Sequence, residues 1–192
     1  MPVSAIILAA GSSTRMGSSK QLLRWGEETL LTHAVKTAID SRVGHVYVVL
    51  GSNEGEHRKA IGKLPVTIVS NPGWQKGMGS SLKAGVSAAK ETSDAVLIMV
   101  CDMPFVTSQH LNNLVEHFTN TRLPVTASKY RDTVGVPAIF AKEVFNELSE
   151  IGDGEGARKI IAKHQDAGLI HLGSPADIDT PDDYEASLRA RR

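Results

Sequence analysis

Apolar runs of five to seven residues recur along the first hundred positions, and each is followed by a stretch with helical spacing. The runs 3–9, 45–51, 66–70 and 95–100 place Val, Ile and Leu on both alternating faces. Strands that are apolar on both faces are typical of a parallel sheet covered by helices on each side. The pattern therefore predicts helices after each strand, at 29–41, 54–62, 79–92 and 108–119.

After residue 120 the pattern changes from strand–helix alternation to a pair of adjacent strands. Runs at 124–130 and 134–140 are separated only by Arg-Asp-Thr, which predicts two strands joined by a short turn. Helices at 142–150 and 155–165, a strand at 169–172 and a final helix from 181 follow. We expect one α/β domain, Rossmann-like with three α/β/α layers, whose mostly parallel sheet is extended by C-terminal strands.

Composition and charge exclude several classes of protein. A chain of 192 residues suits one domain. The 21 basic and 21 acidic residues give no global positive field, which argues against a nucleic-acid partner. Cys101 is the only cysteine, so neither an intrachain disulfide nor a cysteine-built zinc site can form. The apolar start at 3–11 is too short to span a bilayer and has no charged leader, so we expect a soluble, cytoplasmic protein without a membrane partner.

The loop after the first strand carries the first candidate chemistry. In "AAGSSTRMGSSK" (9–20), Gly11 and Gly17 allow positive φ angles and close backbone approach to an anion. Arg15 and Lys20 add a planar guanidinium and a mobile ammonium for phosphate oxygens. The spacing matches neither a P-loop nor a dinucleotide fingerprint. Composition alone leaves two interpretations open, a phosphate-binding loop and a surface loop with two solvated cations.

A carboxylate follows the strand 95–100. Asp102, in "VCDMP", stands where ligands of parallel sheets collect, and it could hold Mg²⁺ with most of its water shell intact. The alternative, a cap for the next helix, is weakened because Thr107 or Ser108 can cap that helix instead. Near the C-terminus, "DIDTPDDY" (177–184) places Asp179 just before a helix, free to reach a metal ion.

Two further loops are rich in small, polar residues. The segment 71–82 enters a helix and offers Asn71 and Ser81, whose polar groups can contact a base or ribose. The segment 152–158, "GDGEGAR", opens another helix with Arg158 in its first turns. That segment is either a second anion site at a helix N-terminus or a flexible loop.

Together these stretches resemble the nucleotidyltransferases of the molybdenum-cofactor branch, the MobA-like family. The similarity extends in order from "LAAGSSTRMGSSKQLL" through "NPGWQKGMGSSL", "CDMP" and "GVPAIF" to "GDGEGAR" and "DIDTPDDY". It implies the nucleotide-diphospho-sugar transferase type of fold, with a nucleotide-binding part at about 1–120 and an acceptor-binding part at about 121–192 of a single domain, 1–192. The cytidylyltransferases of this branch are the most similar, because Ala10 stands where guanylyltransferases usually have Gly, and the larger side chain narrows the base pocket.

The resemblance implies a reaction in which a terminal phosphate of molybdopterin attacks the α-phosphorus of CTP and pyrophosphate leaves. Partners would be CTP, or GTP as the alternative, and molybdopterin with or without molybdenum, with a molybdoenzyme or its chaperone receiving the product. Mg²⁺ or Mn²⁺ would serve as cofactor. The implied catalytic residues are Arg15, Lys20 and Asp102; the nucleotide-binding residues are Leu8, Ala9, Ala10, Gly11, Ser12, Asn71 and Ser81; the metal ligands are Asp102 and Asp179; the acceptor-binding residues are Gly135, Pro137, Gly156 and Arg158.

Two other functions compete with this one. A nucleotidyltransferase with a different acceptor, such as a sugar phosphate, shares the glycine-rich loop and the strand-end aspartate but commonly carries extra C-terminal domains. A non-catalytic module that delivers a cofactor would not need the two cations and two carboxylates, all of which this chain has. Catalysis is therefore the favoured hypothesis.

Overall fold

The computed structural model of the chain describes residues 2–173 and 177–191. In chain order its strands are β1 (Val3–Ala9), β2 (Arg24–Trp25), β3 (Glu28–Thr29), β4 (Val46–Leu50), β5 (Thr67–Ser70), β6 (Ala95–Val100), β7 (Val125–Tyr130), β8 (Thr133–Ala141) and β9 (Gly168–His171). Seven of them form one sheet in the order β5-β4-β1-β6-β8-β7-β9, and β2 pairs with β3 in a separate two-stranded ribbon.

The sheet is mostly parallel, as predicted. β1 pairs in parallel with β4 and β6, β4 with β5, and β7 with β9. β8 lies between β6 and β7 and runs antiparallel to both. The carboxyl ends of the parallel strands therefore share one edge with the β7–β8 hairpin. Ligands of such sheets bind beyond the carboxyl ends of the strands, so this edge is where a site is expected.

Helices cover both faces of the sheet and make three layers. They are α1 (Leu30–Ile39), α2 (Glu54–Ile61), α3 (Met78–Ala89), α4 (Ser108–Thr121), α5 (Phe145–Ser149), α6 (Ala157–Lys163) and α7 (Pro181–Ala190). Alternate residues of β1 explain the layers: Ile7 packs in a core with α1 and α4, whereas Ile6 packs in a second core with α3, α5 and α6. Within the described ranges, none of the helices combines the length and apolar character needed to cross a bilayer.

The structure differs from the predicted elements where short-range geometry overrides periodicity. The ribbon β2–β3 was not predicted, because two strands of two residues joined at Gly26 (φ +67°) carry no periodic signal. The helix predicted at 142–150 begins as a 3₁₀ turn, Lys142–Val144, and becomes α-helical only in α5. Both differences leave the predicted fold class unchanged.

Two buried histidines lead to a prediction about stability and pH. His57 on α2 and His110 on α4 are 0% and 6% exposed. Burial lowers the pKa of both imidazoles below 6.5, so the unfolded chain binds protons more readily than the folded one. The free energy of unfolding should therefore fall as pH drops below 6.5 and through the lower folded pKa values.

Urea denaturation between about pH 5 and about pH 8 measures this effect. The double variant His57→Gln, His110→Gln keeps a side-chain N–H donor at each position but cannot titrate. We expect its stability to decline less on acidification than that of the parent protein. Parallel declines in the two proteins would contradict the assignment.

Candidate functional site

A cleft of about 320 Å³ opens at the carboxyl edge of the sheet. Residues 8–12 from the end of β1 form one wall, together with Lys20. Asp102 after β6 and Ser81 on α3 line the same cleft. The structure thus gathers segments that are far apart in the chain, and it places the predicted residues Leu8, Ala9, Ala10, Gly11 and Ser12 on one surface.

Four charged side chains form one network at this cleft. The Lys20 ammonium lies between two carboxylates: it donates to Asp102 Oδ2, and its Nζ is 3.0 Å from Asp179 Oδ1. Arg15 Nη2 lies 3.0 Å from Asp179 Oδ2. The Lys20 and Asp102 side chains are only 17% and 16% exposed, whereas that of Arg15 is 70% exposed. The largely buried Lys20–Asp102 pair therefore has one solvated cation, Arg15, at its edge.

The C-terminal segment returns across the sheet to bring Asp179 to this charge centre. The Ile178 N–H donates to the carbonyl of Asp102 (2.9 Å), which pins the segment against the end of β6. Thr180 then caps α7: its hydroxyl oxygen accepts from the Asp183 N–H, and Asp183 Oδ2 accepts from the Thr180 N–H (2.8 Å). This capping box fixes the backbone on either side of Asp179.

The charges keep one another ionised. Burial alone would lower the pKa of Lys20, but Asp102 and Asp179 outweigh burial and raise it above 10.5. Partial burial would raise the pKa of Asp179, but hydrogen bonds and attraction from Lys20 and Arg15 hold it below 3.8. At neutral pH the centre therefore presents an ammonium and an ionised carboxylate in direct contact.

The two glycines of the loop after β1 differ in backbone conformation. Gly17 has φ +68°, in the left-handed region, and its missing side chain faces open space. Gly11 does not adopt a positive φ; Ser13 does, at +55°. A hydrogen bond from the Ser13 hydroxyl to Gln21 Oε1 (3.0 Å) accompanies this conformation. Gly11 therefore does not use the conformational freedom that glycine allows, and the left-handed residue of the turn is Ser13, two positions later.

Asn71 and Ser81 meet at the start of α3, but in different roles. Asn71 is buried, and its amide donates to the hydroxyls of Ser80 (2.9 Å) and Ser81 (3.0 Å). Its Oδ1 accepts from the Gly73 N–H (3.0 Å). Asn71 thus supports the wall from behind, whereas Ser81 lies in the wall itself.

The four residues predicted to contact an acceptor lie on β8 and at the start of α6. Arg158 Nε donates to the carbonyl of Val134 (3.1 Å), and Gly135 and Pro137 are on the same strand, β8. Gly156 precedes α6 at the end of loop 152–156. Among the residues that the structure describes, the wall of the 320 Å³ cleft includes none of the four.

Loop 152–156 is packed directly on the start of α3. The Gly79 N–H donates to the Asp153 carbonyl (2.8 Å), and Lys83 pairs with the Asp153 carboxylate. A Cβ at Gly79 would lie 2.1 Å from the Gly152 carbonyl oxygen, so the approach requires glycine. The C-terminal part of the chain is therefore joined to the cleft wall at this point.

The sequence analysis did not assign seven residues of the cleft wall to the site: Gln21, Trp74, Gln75, Gly77, Met78, Val100 and Cys101. Met78 is 50% exposed, an unusual value for methionine in a folded chain, but exposure cannot be seen in a sequence. Gln21 is uncharged, unlike Lys20, so its residue type does not indicate a role in phosphate binding. In the described part of the chain, no group of three or more His, Cys, Asp or Glu side chains is placed to hold a metal ion.

Comparison with known proteins agrees with this geometry. Residues 5–167 match the MobA-like NTP transferase domain. The purine catabolism protein PucB of Bacillus subtilis (strain 168) is 30% identical, over 96% of this chain and 95% of its own. The molybdenum cofactor cytidylyltransferase of Escherichia coli (strain K12) is 26% identical, over 95% of this chain and 93% of its own.

Solved structures show the same fold. Rv0371c from Mycobacterium tuberculosis H37Rv superposes with a TM-score of 0.88 at 25% identity, covering 98% of each chain. A manganese complex of Rv0371C gives 0.84 at 23% identity, covering 99% of this chain and 100% of that one. The match to the family extends over most of the chain and includes the loop, the strand-end aspartate and the α3 segment. The chain therefore belongs to the MobA-like NTP transferase family and is a nucleotidyltransferase.

Proposed function

We propose that this protein transfers CMP from CTP to the terminal phosphate of molybdopterin, with or without molybdenum, and releases pyrophosphate. One observation carries the proposal: the Lys20 ammonium is held between Asp102 and Asp179 at the mouth of a cleft whose wall is the loop after β1. Such a centre combines a fixed positive charge with oxygen ligands. Transfer of a nucleotidyl group needs positioning and charge neutralisation more than a protein nucleophile.

The nucleotide would lie along the β1 loop. Backbone groups of Leu8, Ala9, Ala10, Gly11 and Ser12 would contact the ribose and phosphates, with Ser81 in the same cleft. Lys20 and Arg15 would lie next to the β- and γ-phosphates and neutralise the charge that develops on the leaving pyrophosphate. Asp102 and Asp179 raise the pKa of Lys20 above 10.5, so its side chain is cationic at neutral pH.

The carboxylates fit a divalent cation. Magnesium is held in such enzymes by one or two carboxylates and by substrate phosphates, and Asp102 and Asp179 already converge on one positive charge. We assign these two side chains as ligands of Mg²⁺ or Mn²⁺. When bound, the cation would supply neutralisation of phosphate charge. The manganese complex of the structural relative is consistent with a cation in this fold.

The bond changes balance without covalent catalysis by the protein. An oxygen of the acceptor phosphate attacks the α-phosphorus, the bond from that phosphorus to the oxygen bridging to the β-phosphorus breaks, and pyrophosphate leaves with the electron pair. The thiol of Cys101 lines the cleft, but burial raises its pKa to about 12. It stays protonated, so it is not a nucleophile at neutral pH.

The preference for CTP rests on Ala10. This residue is buried at the cleft wall, where guanylyltransferases of the resembled branch usually have glycine. Its methyl group narrows the space for a base, which favours a pyrimidine. The E. coli cytidylyltransferase, similar along almost the whole chain, supports the same assignment. GTP is the alternative donor.

The acceptor would bind on the C-terminal part, residues 121–192. Gly135 and Pro137 lie on β8, Gly156 and Arg158 lie at the start of α6, and Arg158 offers a guanidinium for an anionic group. A molybdoenzyme or its chaperone would receive the product.

The test is a matrix of donors and acceptors with the purified protein. Pyrophosphate release is measured with each of the four NTPs and with Mg²⁺ or Mn²⁺, in the presence of molybdopterin, of a sugar phosphate, or of no acceptor. We expect release with CTP and molybdopterin to exceed every other combination. Equal rates with GTP would overturn the cytidylyl assignment, and preference for a sugar phosphate would overturn the acceptor. No pyrophosphate release in any combination, with the parent protein and Asp102→Ala indistinguishable, would instead favour the non-catalytic delivery protein.

A further inference from the structure

Gln21 lies near the end of the loop after β1, next to Lys20. Its side chain is buried, with the residue 1% exposed, although the loop around it is largely solvated. The amide Nε2 donates to the carbonyls of Ala9 (3.3 Å) and Gly11 (2.8 Å). Both carbonyls belong to the segment that forms the cleft wall. One neutral side chain therefore ties the end of the loop to its beginning.

The other end of the amide collects two hydroxyls. Gln21 Oε1 accepts from Ser13 Oγ (3.0 Å) and from Ser19 Oγ (2.8 Å). Ser13 Oγ in turn accepts from the backbone N–H of Lys20 (3.1 Å). All four hydrogen-bonding positions of the amide are thus used. A flipped amide would point its oxygen at two carbonyls, so the orientation is fixed by chemistry.

A buried histidine extends this network to the neighbouring helix. His57 Nε2 lies 2.8 Å from Ser19 Oγ. Because the single hydroxyl hydrogen of Ser19 is donated to Gln21, the imidazole must be the donor in this contact. His57 therefore donates to Ser19, and Ser19 donates to Gln21. Through these hydrogen bonds, α2 is connected to the loop.

We propose that Gln21 is a positioning residue, which holds the β1 loop and the backbone of Lys20 in the geometry that receives the triphosphate. A glycine- and serine-rich loop without this cross-link would have to order when the nucleotide binds, at a cost in conformational entropy. With it, Lys20 starts from a fixed backbone position beside Asp102. The inference depends on the proposed function for its kinetic measurement only.

The test compares Gln21→Glu with the parent protein. The glutamate keeps the size and can still accept from Ser13 and Ser19, but it cannot donate to Ala9 and Gly11 and places acceptors against their carbonyls. Hydrogen–deuterium exchange without substrate should become faster in the peptide covering 11–20. The kcat/KM for nucleotidyl transfer should fall about a hundredfold, the scale for misplacing a reacting group by about an ångström.

A matched control and a rescue separate positioning from stability. Ser93→Ala removes a buried hydroxyl pair with Ser4 (2.7 Å) at the opposite end of β1, so it should lower stability without changing exchange in 11–20 or the rate constants. Ser19→Ala should reproduce part of the Gln21→Glu effect. Ser19→Thr keeps the hydroxyl, so its loop exchange and kcat/KM should match those of the parent protein. These milder variants also answer the question if Gln21→Glu does not fold.

The outcomes for the two proposals can be told apart. If Gln21→Glu or Ser19→Ala matches Ser93→Ala in loop exchange and in kcat/KM, the positioning role is wrong. If loop exchange rises as expected while the parent protein shows no transfer from CTP to molybdopterin, the proposed function falls and the role of Gln21 in the loop remains.

Discussion

Replacing Asp102 by asparagine should reduce the rate of nucleotidyl transfer by about a hundredfold or more, the scale for losing one preorganised charge partner. The amide is the same size as the carboxylate, and Asp179 still holds the Lys20 ammonium at 3.0 Å, so the fold should persist. One of the two carboxylates assigned to a divalent cation is what disappears, and Asp179 alone should hold the cation only weakly. The remaining rate should accordingly need much higher Mg²⁺ concentrations to saturate.

Steady-state rates across a range of Mg²⁺ concentrations measure this effect. Asp166→Asn makes the same chemical change at an exposed position after α6 and serves as the control. We expect the control to follow the parent protein at every Mg²⁺ concentration. An Asp102→Asn protein with parental rate and parental Mg²⁺ dependence would show that this carboxylate takes no part in the reaction.

Lys20→Met should separate metal binding from catalysis. In the parent protein, Lys20 occupies the space between Asp102 and Asp179, and a cation added without nucleotide must compete with the ammonium. Methionine keeps the length of the side chain and removes the ammonium between the two carboxylates, so that only Arg15, at Asp179, still offsets their charge. Affinity for Mn²⁺ alone should rise about tenfold because this repulsion is relieved by the ion. Transfer should fall about a hundredfold or more because charge on the leaving group is no longer neutralised.

Isothermal calorimetry of the nucleotide-free protein titrated with Mn²⁺ gives the metal affinity. Steady-state kinetics gives the rate of transfer. Lys76→Met, which removes an ammonium from the 3₁₀ turn before α3, is the matched control. It should change Mn²⁺ affinity little. Weaker Mn²⁺ binding in Lys20→Met than in the parent would mean that the two carboxylates are not the ligands.

The core of the fold follows from the sequence because burial on both faces leaves a continuous apolar run. The predicted strands 3–9 and 95–100 coincide with β1 and β6. The place of β8 could not be read in the same way. An apolar run shows that a strand is buried, but the choice of β6 as its second partner depends on contacts between distant segments.

In the candidate site, too, some residues can be recognised from the sequence and others only from their contacts in the structure. Arg15, Lys20 and Asp102 could be identified because charged residues next to buried strand ends are conspicuous, and the structure brings them together. Asn71 had the right location, but its amide is used inside the protein, which only the distances to Ser80 and Ser81 reveal. Gln21 has no sequence signal at all, because the importance of a neutral amide comes from its partners.

The hydrogen bond between Ile178 and Asp102 bears on how relatives of this chain should be classified. The family match ends at residue 167, whereas the second carboxylate of the charge centre is Asp179. A homologue can therefore satisfy the family definition in full and still lack this acid. Genomic surveys that assign catalytic competence should ask separately for an aspartate at the position of Asp179, next to the residue whose N–H donates to the Asp102 carbonyl.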